Sequence, residues 1–272
     1  MFDWAKRSYS KIDLPEINRA LFYPRPDSND SPANQKIRPL MIPVRAGGFI
    51  SAIWAQAEKP TGTILFFHGN GELASEYIDV AELFLQMGIS FICVDYRGYG
   101  HSSGIPAISL MIEDARDLFK YFHDCCAGEH EPFIIMGRSL GCISALEIAA
   151  IFSDKIDGLI IESGFAETLP LLRTLGADPE YLKLREEDGF AHSQKIRSFP
   201  KPLLIIHAED DFLITVDQAE KLFAAADSRY KKILTIPNAG HNDIFFVGMK
   251  EYLKAVNELI TAAARWKAGM KQ

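Results

Sequence analysis

The sequence predicts an α/β fold: a mostly parallel central sheet with helices on both faces. Three observations predict it. Short runs of Ile, Leu, Phe and Val recur at residues 63–67, 89–94, 133–136, 157–161, 203–206 and 231–236. Segments of helical period lie between most of them, and strands alternating with helices form parallel sheets covered on both sides. Two earlier strand-like runs, 40–44 and 49–55, flank Arg45-Ala46-Gly47-Gly48, a hairpin signal that predicts an antiparallel edge.

Residues 1 to about 38 read as a polar lead-in. The stretch from Tyr23 to Lys36 holds three prolines and several Ser, Asn and Asp, so it is expected as loop. The remainder, 39–272, is one domain. A helix is expected over Glu76–Met87, stopped by Gly88. Pro106–Cys126 places Ile108, Met111, Ile112, Ala115, Leu118, Phe119 and Phe122 on one face. Ser139–Phe152, Val216–Ala226 and Asp243–Trp266 give three more helices. The interval 164–202 is longer than a crossover helix needs. It reads as two short helices with loops, a small cap over one end of the sheet.

Composition narrows the function. Of 272 residues, 29 are basic and 36 acidic, a net charge of −7. Nucleic-acid binding wants a basic patch or stripe, and none is evident. No stretch approaches 18 apolar residues, so no transmembrane helix is expected. The start lacks the apolar core of a secretory signal. Cys93, Cys125, Cys126 and Cys142 lack metal-site spacing and are too few for a disulfide framework. A reduced, cytoplasmic protein is the expectation, with Cys142 a buried apolar side chain.

Chemistry-bearing residues follow the strands directly, where ligands bind in open parallel sheets. Ser139 stands in G-x-S-x-G (137–141) between a strand and a helix, with Gly137 and Gly141 allowing close backbone approach. A serine hydroxyl needs an adjacent base, and a base needs an orienting carboxylate. His241 lies in the loop after the last strand. Glu209, Asp210 and Asp211 follow the strand 203–206. His68-Gly69-Asn70-Gly71-Glu72 follows the strand 63–67, and its backbone can turn N–H groups toward the serine. Asn70 and Leu140 N–H are the expected oxyanion donors.

Together "HGNGE", "VDYRGYGHSSG", "GRSLG", "HAEDDFLI" and "GHNDI" resemble the α/β-hydrolase superfamily. More narrowly they are similar to the branch of monoacylglycerol-lipase-like, serine-aminopeptidase-like and protein-depalmitoylase members. The resemblance spans about residues 40–265, with Ala208 where a glycine is usual. It implies an α/β-hydrolase fold with a Ser-Asp-His order of Ser139, Asp211 and His241. Asp211 is the last Asp of the H-x-x-x-D pattern. Asp210 is its local competitor, and Glu162 a more distant one, because some relatives place the acid after that strand. It further implies hydrolysis of esters or thioesters, with amide cleavage or non-catalytic binding as alternatives. No metal or cofactor is implied, and the partner is a small-molecule or acyl ester substrate.

The remaining candidates have plainer readings beside them. Arg138 meets a polar substrate group or serves the structure. Phe165, Leu169, Leu172 and Leu175 face an acyl pocket or form the cap's own core. Asp95 and Arg97 are expected to hold their loop, His68 and His207 to bond backbone, and His101 to be solvated. His123, His130 and His192 are expected at the surface.

Overall fold

The computed structural model describes residues 2–28, 36–126 and 131–269. Residues 29–35 of the proline-rich stretch, and His130, lie outside the described residues. The strands are β1 (Ile37–Pro43), β2 (Phe49–Ala55), β3 (Gly62–Phe67), β4 (Ile89–Val94), β5 (Phe133–Arg138), β6 (Gly158–Glu162), β7 (Leu203–Ala208) and β8 (Lys231–Ile236). They form one sheet in the order β1-β2-β4-β3-β5-β6-β7-β8. β1 and β2 are antiparallel at one edge, and every pair from β4 to β8 is parallel. The strand order reverses between β3 and β5. That switch point opens the crevice in which open sheets bind ligands.

The parallel strands β3 to β7 are buried on both faces, so their residues alternate between two cores. On β5, Phe133 and Ile135 belong to one core and Ile134 and Met136 to the other. The first core lies under α1 (Pro15–Leu21), α3 (Ile108–Cys126), α4 (Cys142–Ile151), α5 (Thr168–Thr174), α6 (His192–Arg197) and α7 (Val216–Ala225). The second lies under α2 (Ile78–Gln86), α8 (Ile244–Val247) and α9 (Met249–Gly269). All seven residues expected on the apolar face of α3 are buried. Most expected helices lose a residue or two at their ends, where caps and 3-10 turns compete with the α-helix. The helix expected from Asp243 is split at Gly248 into α8 and α9.

Two expectations change. The lead-in is more than a polar segment. It contains α1 and a short 3-10 turn at Trp4–Lys6, and it buries Trp4, Tyr9, Ile12, Ile17, Leu21 and Phe22. These apolar residues are spaced among charged ones, so average polarity hid them. The 164–202 interval does hold two short helices, but α6 packs against both α4 and α7. It is therefore a layer helix of the sheet, and the excursion beyond the layer is the stretch up to residue 191.

Candidate active site

Ser139 sits where β5 ends and a 3-10 turn, Ser139–Gly141, leads into α4. Its φ is 50°, in the left-handed region. A non-glycine residue held there costs about 1–3 kcal/mol, strain that persists only where the surroundings impose it. The surroundings are tight. A Cβ on Gly137 would lie 2.5 Å from the Gly141 carbonyl oxygen, and one on Gly141 would lie 2.0 Å from that of Phe67. Both glycines are thus required by close approach, and the turn presses against the end of β3.

β7 and β8 deliver the other two groups. Asp211 follows β7 and is buried. Its Oδ1 accepts the Leu213 and Ile214 N–H groups at 3.0 and 2.8 Å. Its Oδ2 lies 2.7 Å from His241 Nδ1. A carboxylate only accepts, so Nδ1 carries the proton and Nε2 presents its lone pair. That Nε2 is 3.1 Å from Ser139 Oγ. Burial alone would raise the Asp211 carboxyl. The hydrogen bond and charge of His241, with the Ile214 N–H, outweigh it and hold it below its usual value. The competitors stand elsewhere. Asp210 is exposed, and its backbone N–H donates to the Ala239 carbonyl, tying the acid loop to the histidine loop. Glu162 is buried against Arg138 and Tyr252.

Asn70 lies in the loop that follows β3. Its Oδ1 accepts the Tyr23 N–H at 2.8 Å and the Tyr99 hydroxyl at 2.7 Å, so the N-terminal arm fixes this loop. Arg25 adds a bond from Nε to the Gly71 carbonyl at 2.6 Å. Leu140 directly follows Ser139 and is buried.

Arg138 does not face the crevice. Met136 points into the second core, so Arg138, two residues on, points the same way. There it pairs with Glu72 and Glu162 and donates to the His241 carbonyl at 2.6 Å. Phe165 is buried against the rings of Phe190 and His192, and it lines a depression of about 80 Å³ with Leu171, Phe212 and Ile214. Leu172 is wholly buried in the first core, while Leu169 and Leu175 pack part-buried against it. Leu171, not Leu169 or Leu172, lines that depression.

His68 Nδ1 and His207 Nε2 each meet a backbone carbonyl at 2.7 Å, those of Gly69 and Ile214. Arg97 is bidentate to Asp114, and Asp95 accepts from Ser51 and the Ala74 N–H. Cys142 is buried, and burial pushes its thiol far up. His192 is not at the surface. It is buried beside Lys195, and desolvation pushes its pKa down to about 3. Among the described residues no helix is long and apolar enough to cross a membrane.

Residues 58–176 match the serine aminopeptidase S33 family. Protein bem46 of Schizosaccharomyces pombe is 27% identical over 226 residues, covering 79% of this chain and 75% of that protein. Human alpha/beta hydrolase domain-containing protein 17B is 28% identical over 203 residues, covering 73% and 66%. The solved Pyrococcus furiosus esterase Pf2001 superposes with a TM-score of 0.68 at 19% identity, over 83% of this chain and 91% of that one. A monoacylglycerol lipase of Paleococcus ferrophilus gives 0.62 at 17% identity, over 79% and 99%. With this sheet order and these structural neighbours, the chain has the α/β-hydrolase fold.

Proposed function

We propose that the chain is a serine hydrolase that cleaves carboxylic esters or thioesters through an acyl-enzyme. The observation that carries this reading is the continuous chain from Asp211 Oδ2 through His241 to Ser139 Oγ, at 2.7 and 3.1 Å, in the switch-point crevice. His241 Nε2 takes the Ser139 proton as Oγ attacks the acyl carbon. The Asn70 and Leu140 N–H groups receive the developing oxyanion, each worth roughly 3 kcal/mol in the transition state. His241 then protonates the leaving group. Water attacks the acyl-enzyme, giving its proton to the same base, and releases the acid. Asp211 holds the tautomer and balances the imidazolium. The esterase and lipase named above act on esters, which favours that bond. The excursion at 164–191 serves as a small cap, with Phe165 and Leu171 beside the acyl group.

A fluorophosphonate probe tests the reading, since it labels only an activated serine. The wild type is expected to be labelled and to turn over p-nitrophenyl esters. Ser139→Ala should abolish labelling and lower kcat by about 10⁶. Asp211→Asn should lower it by about 10⁴, the effect of a wrong histidine tautomer in a comparable triad, and Asp210→Asn far less. Near-wild-type activity in Ser139→Ala would sink the proposal. Each buried methylene adds roughly 0.8 kcal/mol, so kcat/KM should climb with acyl length and level off at medium chains. A climb continuing to sixteen carbons would reject the small pocket.

The S33 match favours one second reading, an aminopeptidase. Aminoacyl p-nitroanilides turned over faster than matched esters would establish it.

A further inference from the structure

We infer that Arg138 is a positioning residue that couples the oxyanion loop to the histidine loop. This rests on the hydrolase reading above and adds a role to a residue next to the nucleophile. The guanidinium has three attachments. Its Nη1 pairs with Glu72 Oε1, whose second oxygen accepts the Gly69 N–H at 2.6 Å, beside Asn70. Its Nη2 donates to the His241 carbonyl at 2.6 Å, and Asn242 Oδ1 lies 3.5 Å away. Its Nε donates to Glu162 Oε1 at 3.1 Å, while Glu162 Oε2 accepts the Tyr252 hydroxyl at 2.5 Å. One cation therefore touches the backbone of the histidine loop directly and reaches the oxyanion loop through one carboxylate.

The sheet register dictates the arrangement. Arg138 and Glu162 are directly opposite on neighbouring strands, so their side chains leave the same face. Gly69 is small because the pair occupies the space a side chain would need. A Cβ there would lie 2.5 Å from Arg138 Nη1 and 2.9 Å from Glu72 Oε2. Arg138 and Glu162 are also buried, beside a pocket of about 220 Å³ that they line with Phe66, Phe84, Met136 and Phe245. Charge-assisted bonds are stiffer when buried than in water, so the two loops are held in fixed relation. Burial alone would raise the Glu72 carboxyl, but Arg138 outweighs it and keeps it low.

The test is kcat per active site in Arg138→Met, Arg138→Lys and Glu72→Gln. Active sites are titrated with the fluorophosphonate so that unfolded protein drops out. A misplacement of about 1 Å costs on the order of 10²-fold in rate. Arg138→Met should thus lose about that much in kcat per titrated site, with KM changed little. Arg138→Lys should recover part of it, since an ammonium still meets one loop but cannot bridge both. If Arg138→Met does not fold, Glu72→Gln carries the test, with a fall of roughly tenfold expected from a weaker link to Arg138. An unchanged kcat per titrated site in the folded variants overturns the inference and leaves the hydrolase reading standing. A wild type that the probe does not label overturns both.

Discussion

Two buried ionic clusters lie on opposite faces of the sheet, and they are built alike. In each, basic side chains, carboxylates and tyrosine hydroxyls are bonded to one another with little exposure to water. Arg138 sits with Glu72, Glu162, Tyr77 and Tyr252 under α2 and α9. Lys195 sits on the other face, 2.7 Å from Glu147 Oε2, where Arg116 and the Tyr9 hydroxyl also bind that carboxylate. The difference is what each cluster joins. The first lies at the carboxyl ends of β5 and β6 and contacts two loops of the candidate active site. The second joins α3, α4 and α6 to the N-terminal arm, which supplies Tyr9 and sets Trp4 over Lys195. Similar chemistry in similar burial serves a site in one place and chain attachment in the other, so position relative to the strand ends is the informative variable.

Removing the central carboxylate of the second cluster should give the largest effect on stability. Glu147→Ala leaves Lys195 buried without its carboxylate and takes from the part-buried Arg116 its ion pair, a loss of about 3–5 kcal/mol. Urea unfolding measures it. The turnover per titrated site should stay at the wild-type value where the variant is folded. A drop in kcat as large as that of Arg138→Met would erase the distinction between the two clusters. Tyr9→Phe is the milder version. It deletes one hydrogen bond to a charged group, worth about 1.5–3 kcal/mol, and should loosen the arm without touching the triad. Limited proteolysis near residue 9 would report that loosening. Unchanged stability and protection would remove the arm from the cluster's role.

How far the sequence foretold these regions depends on the kind of signal. Strand positions were legible because runs such as Leu203-Leu204-Ile205-Ile206 have no other soluble reading between turn residues. Ser139 and His241 stood out because each follows a strand in a glycine-bearing loop. Which carboxylate turns inward was not legible from spacing, since Asp210 and Asp211 are adjacent and only the family pattern separated them. The Arg138–Glu162 pair was within reach. Each is two residues beyond a core position on its own strand, Met136 and Ile160, so both had to share the buried face. Glu147 also carried a signal, a lone carboxylate in an apolar helix, and buried charges need partners. Its partners come from positions 9, 116 and 195, and no local pattern connects those. The lead-in was missed for the same reason, because its anchoring is tertiary.

The smallest effect separates the clusters by the sign of their pH dependence. Burial raises the Glu162 carboxyl above its usual 4.5, because desolvation outweighs the attraction of Arg138 and the Tyr252 hydrogen bond. Burial would raise Glu147 too, but Lys195, Arg116 and Tyr9 together outweigh it and bring it below 4.5. A raised group keeps its proton in the fold after the unfolded chain has lost it. The stability it contributes is complete below pH 4.5 and is lost as pH rises through the folded value. For the lowered group the unfolded chain holds the proton longer. Its contribution is complete above 4.5 and is lost as pH falls through the folded value. Glu162→Gln should therefore gain on the wild type as pH rises from 4.5, while Glu147→Gln should fall behind as pH rises toward 4.5 from below. Urea midpoints of the three proteins across the acid range give both slopes. Slopes of the same sign would mean that Arg138 compensates its carboxylate as fully as Lys195 and Arg116 compensate theirs, and the electrostatic contrast between the two faces would be gone.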